Sequence, residues 1–353
     1  MRTPTGPPLL PRPRGPLSEH VLRRLAGPPG AVAPGPPVTG DPLGDDDLHL
    51  ALYVLYELHY RGFAGVDESW EWQPALLAER GRLERAFAQA LAALVTVPPA
   101  GEAQAVERAL RRMVVEDDGP PLARFIETRA TLEQVREFMV HRSLYQLKEA
   151  DPHTFGIPRL SGPPKAATVE IQADEYGGGR LELMHSELFA RGMADVGLSP
   201  AYGAYLDVVP GPTLATVNLM SLFGLHRRRR ACVVGHLAVF EMTSSIPNRR
   251  YGNALRRLGF GATATAFYDE HVEADAVHDA IAAHDLAVGM ARTEPHLAGD
   301  VLFGAAALLA LDARAAAPIL AAWEAGESSL LAPPGGGTGT GMPALAIEAG
   351  TAP

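Results

Sequence analysis

One cysteine, Cys232, in 353 residues leaves no partner for an internal disulfide and no thiolate set for a zinc or iron–sulfur site. Positive charge is in deficit: 31 Lys and Arg against 41 Asp and Glu give a net charge of −10, which argues against nucleic acid or an anionic membrane as partner. The longest apolar run, Val301 to Leu311, is cut by Asp312 and is too short to cross a bilayer. The N-terminus has no charged-then-apolar signal pattern, so a cytoplasmic protein is expected. No Walker loop or Gly-x-Ser-x-Gly elbow is present. The stretch from Gly259 to Ala264 matches a nucleotide-binding glycine turn only superficially, because it follows a helical pattern and not a strand. Alternating strand patterns and hairpin dipeptides are missing too.

What is present is a chain with 47% hydrophobic residues, 31 Pro and 36 Gly. Twelve of the prolines and six of the glycines fall in residues 1–43, which predicts a mobile arm with at most a helical turn over Ser18 to Leu25. From Asp45 apolar residues recur at helical spacing, through Leu48–Tyr60, Gln73–Leu94, Ala103–Val115, Leu132–Glu149 and Lys165–Met193. The pattern resumes at Thr213–Leu225, His236–Thr243, Tyr251–Leu258, Thr263–Met290 and Pro295–Trp323, with breaks at Pro210-Gly211-Pro212, Pro247 and Gly259. The expectation is one all-α domain over 44–331, flanked by the arm and by a flexible glycine-rich tail over 332–353.

Three potential metal ligands, His271, Asp275 and His278, fall within about 60° of one another on a helix at 100° per residue. Taken alone, they also suit a polar surface face. Glu182-x-x-His185 adds the i, i+3 pair that dinuclear carboxylate bundles use, with Glu175 seven residues earlier on the same stripe. Glu149 and Glu241 each stand in apolar surroundings, where a carboxylate is costly unless paired or metal-bound. Two helices giving a carboxylate and a histidine, and two giving one glutamate, make the four-helix recipe for iron or manganese, with zinc the remaining option.

These residues carry a resemblance. The stretches His141–His153, Glu170–Gly179 with His185, and His271-x-x-x-Asp275-x-x-His278 resemble the heme-oxygenase-like diiron oxidases and oxygenases, often called iron-containing redox enzymes. The resemblance covers about Glu137 to Ala283. It implies a heme-oxygenase-like helical bundle that binds two Fe(II) ions, reduces dioxygen to a bridging peroxo species and oxidises a small molecule, an amino acid derivative or a fatty acid. It also implies an external electron donor and leaves a homodimer open. Carried over, Glu149 comes from the first core helix, Glu175 or Glu182 with His185 from the second, Glu241 from the third, and His271, Asp275 and His278 from the last. The rivals are a heme-binding or heme-degrading protein of the same fold, a cysteine hydrolase of similar shape, and a non-catalytic helical interaction protein. Aligned carboxylates speak against the first, Cys232 without an evident base against the second, and the full ligand set against the third.

Overall fold

The computed structural model describes residues 6–31, 33–99 and 102–333, apart from the side chains of 274–277. Among these residues all regular structure is helical, and the fold is the expected heme-oxygenase-like type. In chain order the helices are α1 (Pro16–Leu25), α2 (Asp46–Glu57), α3 (Pro74–Leu94), α4 (Ala103–Glu116), α5 (Leu122–Thr128), α6 (Leu132–Gln146) and α7 (Asp151–Thr154). They continue with α8 (Gly162–Glu175), α9 (His185–Asp195), α10 (Gly211–Gly224), α11 (Arg230–Arg257), α12 (Ala262–Ala280), α13 (Gly289–Thr293) and α14 (Ala298–Glu324).

The long helix α11 is the axis, packed between α12 and α14. Two glycines bring α11 and α14 almost into backbone contact. A Cβ on Gly235 would overlap the carbonyl of Val301, and one on Gly304 the carbonyl of Cys232. Pro247, expected to break the chain here, lies inside α11. A proline removes one helical hydrogen bond, and packing on both flanks outweighs that local loss.

Two further expectations change. The single helix predicted over 263–290 is α12, then a π-helical stretch over Ile281–Val288, then α13. The single helix predicted over 165–193 is two. α8 stops at Glu175, Gly177, Gly178 and Gly179 all take positive φ (63°, 59° and 80°), and α9 restarts at His185. Glycine alone adopts that conformation without steric cost, so the triplet acts as a hinge between helices.

The N-terminal arm also departs from its expected mobility. α1 buries Leu17, Val21, Leu22 and Leu25 and packs against α2. Asp47 of α2 accepts from the α1 backbone at Leu17 (2.8 Å) and Ser18 (2.7 Å). Farther out, Ala64 donates to the Pro8 carbonyl and Trp70 Nε1 to that of Gly27. Proline stiffens the unfolded chain as well as the folded one, so a proline-rich segment loses less entropy on docking than its content of helix breakers suggests. The tail expected beyond 333 lies outside the described residues.

Candidate metal centre

Five elements meet at a polar cluster inside this apolar bundle. Glu149 comes from the turn after α6, where the next residue, Ala150, is held at φ 76°, a left-handed conformation costly for a non-glycine. Glu175 ends α8 and His185 begins α9, so the glycine hinge folds the two helix ends onto each other. Glu241 projects from the middle of α11, and α12 contributes His271 and, two turns later, His278. All six side chains are buried.

Their oxygen and nitrogen atoms form two groups. Glu149, Glu175, His185 and His271 each place a ligand atom within 4.8 Å of the others', and so do Glu175, Glu241 and His278. Glu175 belongs to both. His185 Nδ1 and Glu175 Oε2 form an ion pair at 2.9 Å that is not aligned as a hydrogen bond, and Glu149 Oε2 is buried without a hydrogen bond. Such atoms are costly to bury unless a further group takes up their lone pairs. His271 donates from Nδ1 to the Phe267 carbonyl at 2.8 Å and turns Nε2 toward Glu149 Oε1 at 3.6 Å, so Nε2 becomes the acceptor once its proton leaves. A histidine held this way presents a defined lone pair to a metal.

Electrostatics point the same way. Burial raises the Glu149 carboxyl. Burial also works to lower the histidines, but the carboxylates overcome it: His271 is pushed up to about 10, chiefly by Glu149, and His278 to about 9, chiefly by its bond with Glu241. His185 is raised by Glu175 against the same opposition. Without a cation, protons on the imidazoles balance the carboxylates, and an entering metal displaces them.

Of the residues singled out from the sequence, Glu149, Glu175, His185, Glu241, His271 and His278 are brought together. The Asp275 side chain lies outside the described residues; its backbone lies on α12 between the two histidines. Glu182 stands apart. It is exposed on a short 3-10 turn, and the helical stripe expected to join Glu175, Glu182 and His185 does not exist, because the glycines end α8 first. Sequence reasoning missed Asp174, whose carboxylate lies 3.1 Å from His278 Nε2, and Tyr145, whose buried hydroxyl feels Glu149, Glu175 and Glu241. It also missed the buried pair of His153 and His236, 3.0 Å apart and both held neutral by burial. The i, i+4 spacing of Tyr145 to Glu149 was a usable signal; nothing in the sequence pairs His153 with His236.

Comparison with known proteins agrees with this geometry. Iron-containing redox enzymes match over residues 136–313, a span that starts in α6 and ends in α14 and so contains every member of both groups. A nitrosourea synthase of Streptomyces achromogenes subsp. streptozoticus is 29% identical over 137 residues, 38% of this chain. The matched region spans only 29% of that relative's length. The buried carboxylate–histidine cluster and the family match over half of the chain lead to one conclusion: this protein belongs to the iron-containing redox enzyme family.

Proposed function

We propose that the protein is a non-heme diiron enzyme that uses dioxygen to oxidise a small molecule and draws electrons from an external donor. The observation that carries this reading is the pair of ligand groups sharing one carboxylate. Glu149, His185 and His271 would hold one ion and Glu241 and His278 the other, with Glu175 common to both groups. Oxygen and imidazole donors without thiolate suit iron or manganese. A heme would need one axial histidine and an apolar slot, and would leave Glu149 Oε2 buried without a hydrogen bond.

When bound, two ferrous ions supply the electrons that activate dioxygen. The chain does the rest. The His271 Nδ1 bond to Phe267 holds one imidazole in orientation, burial keeps water from the centre, and the glycine hinge sets the distance between Glu175 and His185.

After anaerobic loading with ferrous salt, about two irons per chain are expected. Glu149→Gln should lose close to one of them, and Glu175→Gln should lose both along with the optical response to dioxygen, with helicity retained in each. Equal iron content in wild type and Glu175→Gln, or a stoichiometric Soret band, would overturn the reading.

A further inference from the structure

Both ring nitrogens of His278 face carboxylates. Nδ1 lies 3.2 Å from Glu241 Oε2, and Nε2 lies 3.1 Å from Asp174 Oδ2. The two carboxylates differ in kind. Glu241 is buried and belongs to the same ligand group as His278, whereas Asp174 belongs to neither group and its side chain is 64% exposed. Asp174 and Glu175 are neighbours at the end of α8, where successive residues turn by about 100°. Glu175 therefore points into the bundle and Asp174 out of it, so one helix end reaches the second ligand group from inside and His278 from outside.

The two histidines of α12 can be compared directly. A metal-bound imidazole is held in orientation by the partner of its other nitrogen. For His271 that partner is the Phe267 carbonyl, one turn earlier on the same helix. His278 stands in the last turn of α12, just before the π-helical stretch that begins at Ile281, and its outer nitrogen is held from a different helix. Because the two ring nitrogens point away from each other, the imidazole stands between Asp174 and Glu241.

We infer that Asp174 is a positioning residue for the second ion: it accepts from Nε2–H of His278 on the solvent side, so that Nδ1 offers its lone pair to the ion beside Glu241. The inference rests on the iron reading above for the identity and number of the ions. Asp174 touches neither ion and acts through the imidazole. Its removal costs affinity and leaves the helices intact, since a side chain this exposed contributes little to packing.

Competition between the full chain and a chromophoric ferrous chelator under dinitrogen gives the iron affinities, with circular dichroism on the same samples. Asp174→Ala should weaken one ion by about tenfold or more and leave the other within about twofold. Asp174→Asn keeps an acceptor oxygen in the same place and should weaken it less. A second measurement uses protein labelled with nitrogen-15 in histidine and loaded with zinc as a diamagnetic probe, the His278 signals being assigned from His278→Gln. NMR should find the His278 proton on Nε2 and the metal on Nδ1. Unchanged iron binding by Asp174→Ala would overturn the inference, and so would equal weakening of both ions, the mark of a general attraction between a surface charge and cations. A His278 ring protonated on Nδ1, or free of metal, would overturn it as well. Any of these failures in a wild type that holds two irons leaves the iron reading standing. Fewer than two irons on wild type sinks the iron reading, and the NMR result alone then decides the inference.

Discussion

Glu149 owes its position to its two neighbours in the chain. Lys148 is 2% exposed and donates to Glu57 Oε2 at 2.8 Å. Its ammonium also lies over the rings of Tyr60 (4.2 Å) and Tyr53 (4.9 Å), while the Tyr202 hydroxyl donates to the same Glu57 oxygen. On the other side Ala150, in its left-handed conformation, accepts from Gln172 Nε2 through its carbonyl. Removing one partner of a buried ion pair leaves the other charge uncompensated, so Lys148→Met should cost about 3–5 kcal/mol. The double change Lys148→Met with Glu57→Leu should recover much of that loss, measured by urea denaturation. Iron content should fall in the single variant even where it is still folded. Lys148 reads in the sequence as an ordinary solvated lysine. Its partner is 91 positions away, and only the packing of α2 against its neighbours brings Glu57 to it.

At the scale of the element, the connection between α8 and α9 separates two kinds of glycine. A Cβ at Gly177 would approach the Leu183 carbonyl carbon to 2.5 Å and the Met184 nitrogen to 2.6 Å, whereas one at Gly178 meets nothing. Both have positive φ, so alanine at either position carries a left-handed penalty of about 1–2 kcal/mol. Gly177→Ala must in addition push away the segment that leads into His185. It should therefore lower iron occupancy several-fold, while Gly178→Ala costs some stability and keeps the iron. Metal analysis alongside thermal melting distinguishes them, and equal iron content in the two variants would show that the hinge does not position the site. The glycine triplet was legible as a weak point in a helix. That it ends the helix, and so removes Glu182 from the cluster, follows from where α9 packs.

For the whole molecule, the N-terminal arm is part of the fold. The four buried aliphatic side chains of α1 would each contribute about 1.5–3 kcal/mol. Deleting residues 1–40 should therefore lower the melting temperature markedly and expose apolar surface on α2, detectable by dye binding. A deletion variant as stable as the full chain would show that the docking is energetically empty. Composition pointed to mobility because it counts prolines as helix breakers. It does not register that Leu17, Val21, Leu22 and Leu25 lie on one side of a short helix.

The sequence by itself determined the all-helical class, the candidate carboxylates and histidines, and the family they resemble, because helical periodicity, ligand spacing and the cost of a lone buried carboxylate are local properties. Tertiary structure decided the rest. It split the second core helix at the glycines, carried α11 through Pro247, docked the arm, and made Glu175 the carboxylate common to both groups. Each outcome depends on which surfaces meet across long stretches of chain, and contact energies of that kind outweigh local propensities of about 1 kcal/mol per residue.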